Sequence, residues 1–149
     1  MFISKKKLMT FSSIVSSIIV IALFGTPCYQ YTGSITRGDY YLGFDFGFGG
    51  NVIIEAFNAT LFGIIGVILL FNVIALFIEK LEEKKLVAIN STLWVLAIGF
   101  SICCLCCKFV NVSYNFTNSV IYILLVTIIA LVLNFVILLK NDEKGQFSN

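Results

Sequence analysis

The sequence has no histidine, one arginine and one proline, and only 12% of its 149 residues are charged. Without histidine there is no ordinary base for chemistry near neutral pH. No nucleophile–base pair and no phosphate-cradling loop can be written from the remaining residues, so no catalytic residue and no cofactor is assigned. A single arginine and a net charge of +2 exclude the clustered basic surface that grips nucleic acid. What is abundant is apolar. Soluble domains run about 45–50% apolar and about 25% charged, whereas this chain is 59% apolar with a mean hydropathy of +1.00. That excludes a soluble enzyme and a disordered tail, and it points to a bilayer as the solvent.

Crossing a hydrocarbon core takes roughly 20 apolar residues. Four stretches qualify: residues 8–24, 56–78, 86–107 and 120–139. None holds a charged residue or a proline, since Pro27 lies just past the first. The first stretch has the lysine-then-apolar order of a signal peptide, but its run of 17 residues is long for one and no clean small-x-small site precedes Pro27, so it is expected to stay as a span. The connecting segments are too short for a soluble domain. Lysines sort by side. With the N-terminus inside, the inner segments hold Lys5, Lys6, Lys7, Lys80, Lys84, Lys85, Lys140 and Lys144, and the outer ones hold only Arg37 and Lys108. The expected fold is an all-α membrane protein, one domain over residues 1–149. It is a four-transmembrane-helix bundle in the cell membrane with both termini cytoplasmic and an extracytoplasmic β-hairpin in the first loop.

The hairpin is read from period-two alternation over residues 29–48. Tyr29, Tyr31 and Ile35 alternate in one run; Tyr40, Leu42, Phe44, Phe46 and Phe48 alternate in the next. Gly38-Asp39 between them suits a two-residue turn. Closing there pairs Ile35 with Leu42, Tyr31 with Phe46 and Tyr29 with Phe48, which gathers the apolar side chains on one face. That face either caps the helix ends or docks another protein, with Tyr29, Tyr31, Leu42, Phe44, Phe46 and Phe48 as the candidate contacts. Gly43, Gly47 and Gly49 on the other face permit close backbone approach. Arg37-Gly38-Asp39 matches an integrin-binding tripeptide, but the turn alone accounts for Gly-Asp.

Ser12, Ser13, Asn72, Asn90 and Asn134 fall at one depth, roughly 6–9 Å below the inner interface at about 1.5 Å per residue. They are expected to form an interhelical polar layer; the alternative is a polar pocket. Small residues four apart mark expected close helix contacts: Ser12/Ser16, Ser13/Ser17, Ala59/Gly63 with Gly66, Ala97/Ser101 and Gly99/Cys103.

Four of the five cysteines, Cys103, Cys104, Cys106 and Cys107, stand at the outer end of the third span, and Cys28 follows the first span at the same level. Three readings stand: small buried apolar residues, a disulfide from Cys28 to Cys106 or Cys107, or a thiol–disulfide site. Metal binding is disfavoured because there is no histidine. Quinone-linked four-helix thiol oxidoreductases resemble this chain in helix count and a C-x-x-C, but the first loop lacks their paired C-x-x-C. Four glycosylation sequons begin at Asn58, Asn90, Asn111 and Asn115. In topology the arrangement resembles claudin-type and related tetraspan proteins. It departs from the claudin loop pattern in that the only tryptophan, Trp94, lies in the third span and the first loop has one cysteine.

These readings lead to a non-catalytic membrane protein acting by association, as an accessory subunit or scaffold. Its expected partners are membrane lipids and other membrane subunits or further copies of itself. The alternatives are a small channel or lipid- or solute-handling protein that uses the Asn/Ser layer, and an outer-face thiol oxidoreductase.

Overall fold

The structure is a computed structural model and describes residues 4–31, 39–43, 52–110 and 114–147. Its elements are α1 (Lys5–Phe24), β1 (Pro27–Tyr31), β2 (Asp39–Leu42), α2 (Val52–Phe77), α3 (Glu83–Leu105), α4 (Cys107–Val110), β3 (Tyr114–Phe116) and α5 (Asn118–Phe147). Four helices are long and apolar enough to cross a membrane: α1, α2, α3 and, over Asn118–Leu139, α5. Each contains nearly all of one expected span. Each also runs a few residues beyond it at its N-terminus, because hydropathy marks the apolar stretch whereas a helix continues to its cap. At α1 that cap is Ser4, whose Oγ accepts from the Lys7 backbone N–H at 3.3 Å. The third helix stops at Leu105, and Cys107 begins the separate turn α4.

Helix α1 packs against α2 and α5, and α3 packs against the same two, so the four form a closed ring with little contact across its diagonals. Strands β1 and β2 follow α1, β3 follows α3, and all three join one sheet in the order β2-β1-β3. Both of these connections therefore lie at one end, here the sheet end, and successive helices alternate in direction. The opposite, lysine end carries the start of α1 and the turn between α2 and α3. There Lys5 Nζ lies 3.8 Å from Glu83 Oε2, and Lys6 Nζ donates to the Ile78 carbonyl.

The spans have their polar side inward. Thr10, Ser13, Ser17, Asn58, Asn72, Asn90, Ser101, Thr127 and Asn134 are buried, while Val15, Leu70, Val95 and Ile129 are each more than half exposed. A water-soluble bundle has the reverse pattern; outward Val, Leu and Ile fit surroundings of lipid. Two apolar clusters fill the ring. One reaches from the sheet end to Ile68, Trp94 and Ala130. The other, at the lysine end, contains Met9, Ala75, Leu86, Val87 and Ile137.

Two expectations need correction. The antiparallel pair β1–β2 exists, but Tyr29 pairs with Tyr41, Gln30 with Tyr40 and Tyr31 with Asp39. Asp39 is thus a strand residue and not part of a two-residue turn. The change of register has odd parity, so it swaps which residues of the second strand share a face with Tyr29. Tyr41 packs on the core, whereas Leu42 is 38% exposed. A register irregularity between Pro27 and Tyr29 adds a further shift and lets the adjacent Cys28 and Tyr29 both lie buried. Alternation within one loop cannot register either the bulge or the third strand, which comes from the distant segment 114–116. The second correction concerns small residues. Ser13, Ser17, Ala97 and Ser101 are buried as close helix contacts, but Ala59, Gly63 and Gly99 face outward. Nothing lies within 4 Å of where a Cβ would stand at Gly63, Gly66 or Gly99.

Candidate functional site

Two buried polar groupings stand out, one under the sheet and one nearer the lysine end. Under the sheet, Tyr29 is held by β1 with its ring in the core, 1% exposed. Its hydroxyl donates to Asn58 Oδ1 at 3.0 Å, and Asn58 Nδ2 donates to the Gly43 carbonyl at 2.7 Å. One side chain of α2 thereby joins β1 to the end of β2. Gly43 fits this place because it has no side chain: an added Cβ would stand 2.7 Å from Phe24 Cα and 2.8 Å from the Phe24 carbonyl oxygen. Phe24 in turn meets the Phe62 ring edge-on, with centroids 5.3 Å apart. Side chains near the start of α5 tie down the other edge. Thr117 Oγ1 donates to the Pro27 carbonyl at 2.6 Å, and Thr26 Oγ1 donates to Ser119 Oγ at 2.7 Å.

The thiols gather here too. Cys104 hydrogen-bonds with Tyr29, and Cys28 and Cys107 are close by. Cys28, Cys104 and Cys107 are buried, Cys103 and Cys106 are partly so, and all five are free thiols. Among the described residues no three Cys, Asp or Glu side chains converge as metal ligands would. Burial pushes the Cys28 thiol up to about 11, outweighing the opposing hydrogen bonds of Thr26 and the Gly43 backbone. Burial, with Cys104 beside it, also raises the Tyr29 phenol above its ordinary value. A protonated, desolvated thiol is a poor nucleophile.

The second grouping separates the two apolar clusters. Asn72 lies between Ile68 and Ala75 along α2, Asn90 between Val87 and Trp94 along α3, and Asn134 between Ala130 and Ile137 along α5. The Asn72 and Asn90 carboxamides exchange two hydrogen bonds, at 2.9 and 3.0 Å, and Asn72 Nδ2 also reaches the Ile68 carbonyl at 2.8 Å. Trp94 Nε1 donates to Ser13 Oγ at 3.3 Å, which joins α3 to α1 across the ring. Asn134 is fully buried, yet its carboxamide has no hydrogen-bond partner among the described residues, and the buried Ser12 hydroxyl has none either.

The sequence-assigned residues therefore separate. Asn72, Asn90 and Ser13 enter interhelical bonds, while Asn134 and Ser12 stand beside them unbonded. Tyr29 belongs to the core and not to a docking face. Leu42 is partly exposed; of Tyr31 only the backbone, in β1, is described, and Phe44, Phe46 and Phe48 lie outside the described residues. Asn58, Gly43, Thr117 and Ser119 carry the sheet end, and of these Asn58 was visible only as a sequon. Asn58 and Asn90 are buried and bonded, so a glycan on either would break the bonds just described. No protein-family model, no curated protein and no solved structure matches this chain.

Proposed function

We propose that this chain is a non-catalytic, multi-pass membrane protein that works by association, as an accessory subunit or scaffold, with its lysine end and both termini on the cytoplasmic side of the cell membrane. The observation that carries the reading is how the interior uses its polar groups. Asn72 with Asn90, Trp94 with Ser13 and Tyr29 with Asn58 fasten helices to one another and to the sheet. Groups used in that way hold a shape and are not offered to a substrate. Orientation rests on the lysine count. The outward small-residue seam Ala59, Gly63 and Gly66 on α2 is the surface on which a second membrane helix, from another subunit or another copy, packs closely. Purification from native membrane after crosslinking tests this: a partner chain or a second copy is recovered with the wild type and lost with Gly63→Leu. Recovery of a lone monomer overturns it, and a terminal reporter protected from cytoplasmic reagents overturns the orientation.

A second reading, a small-solute or lipid-handling site in the polar layer, draws support from the unbonded Asn134 carboxamide. A buried amide without a partner costs stability. If it is only a packing residue, Asn134→Leu raises the melting temperature and leaves partner recovery unchanged. A lowered melting temperature, or loss of a co-purifying small molecule, favours the second reading.

A further inference from the structure

The seam between α1 and α5 is not filled on its outer side. A groove of about 550 Å³ runs along it, walled by Leu8, Val15 and Ile19 of α1 and by Val126, Leu133 and Ile137 of α5, with Ser12 and Ser16 at its base. Serines leave the seam open where larger residues would close it. The walls are apolar, so the groove calls for an apolar occupant. From Leu8 to Ile19 the helix rises about 16 Å, close to half of a hydrocarbon core of about 30 Å. The groove is therefore as long as one leaflet is deep, and its first lining residue, Leu8, follows directly on the lysines of α1.

Charge at that mouth has one sign in excess. The lysine-end segments, residues 4–7, 78–85 and 140–147, hold eight lysines against five acidic residues, whereas the opposite end holds Arg37 and Lys108 against Asp39, Asp45 and Glu55. Lys5 faces Glu83, and Lys6 bonds the Ile78 carbonyl on the α2 side. Lys7 is exposed and directly precedes Leu8 of the groove wall in sequence, and it borders a smaller hollow on the α2 side with Lys6 and Glu79.

We infer that this groove binds one acyl chain of an anionic phospholipid from the leaflet at the lysine end, with the phosphate headgroup held by Lys7. The inference requires that the four helices cross a membrane; it does not depend on any protein partner. It is tested by native mass spectrometry of the full chain extracted from nanodiscs of equal phosphatidylglycerol and phosphatidylcholine. The wild type retains phosphatidylglycerol in preference, by about fivefold or more. Val15→Trp and Leu133→Trp, which fill the groove from opposite walls, each lower retention several-fold. Lys7→Gln removes the preference between the two lipids while keeping a bound chain. Val67→Trp, on the exposed face of α2, changes nothing, and the melting temperature of each variant identifies one that has unfolded. Equal retention of both lipids by the wild type overturns the inference. So does unchanged retention in both folded groove-filling variants, an equal loss in Val67→Trp, or a lipid-free dimer that the groove-filling variants dissociate.

Discussion

The two ends of the bundle are fastened by different chemistry. The sheet end uses neutral groups packed out of solvent: a phenol, a carboxamide, thiols and a glycine seated against a helix end. The lysine end uses charged side chains, with the buried Lys5 against the half-exposed Glu83 and Lys85 against Glu82, the second pair two-thirds exposed at both partners. Neutral buried bonds are sensitive to shape and indifferent to salt. Exposed ion pairs are the opposite, each contributing about 0–1 kcal/mol. Damage at the sheet end therefore propagates through packing, while damage at the lysine end stays local.

The strongest way to break this contrast is Gly43→Val. The new side chain meets the backbone of Phe24, so the strand must shift, at a cost of about 3 kcal/mol; thermal unfolding in detergent should show the largest loss of all the variants considered. Next comes Asn90→Leu, which leaves the buried Asn72 carboxamide with only its bond to Ile68 and costs about 2 kcal/mol. The double variant Asn72→Leu with Asn90→Leu removes both partners and recovers part of that loss, so a double-mutant cycle gives a favourable coupling between the two. Tyr29→Phe deletes the bond to Asn58 and lowers stability by about 1 kcal/mol. Alkaline pH sharpens the comparison. The Cys28 thiol titrates near its ordinary value of 9.0 in the unfolded chain but near 11 when folded. Its contribution is present in full below pH 9 and is lost as pH rises to about 11, and Tyr29, also raised, adds to the fall from its ordinary value of 10.0 upward. A denaturation series across that range should show it. The smallest effect is Glu82→Gln, below about 1 kcal/mol because both partners of its ion pair are 66% exposed, and high salt should erase it.

How legible each region is in the sequence follows the same division. The spans announce themselves because composition alone decides them, and their ends are misplaced by a few residues, as where Lys5–Lys7 and Glu83–Lys85 extend a helix beyond its apolar part. The Asn layer is legible because each asparagine can be counted from a helix end, and helix ends at one membrane face share a depth. Helix faces are harder. Small residues four apart describe Ser13 with Ser17 and Ala59 with Gly63 in the same terms, yet the first pair is inside the ring and the second outside; spacing carries no direction when both interior and surroundings are apolar. The sheet end is the least legible. Tyr29 alternates correctly with its neighbours, but the bulge at Cys28, the pairing with residues 114–116 and the carboxamide arriving from Asn58 are all long-range, and no local pattern contains them.

The central strand of the sheet pairs on one side with residues from the same loop and on the other with residues 114–116. Strand β1 is synthesised some 85 residues before that second neighbour. Three helices must emerge and take their places before the last edge of the sheet can close. Contacts so far apart in sequence form slowly, so a nascent chain stopped after α3 has its helices but an open edge on β1, with the backbone groups destined for Asn115 and Thr117 unmatched. Completion of the cap therefore waits until the third span has emerged, and the residues that complete it are made just before the last helix.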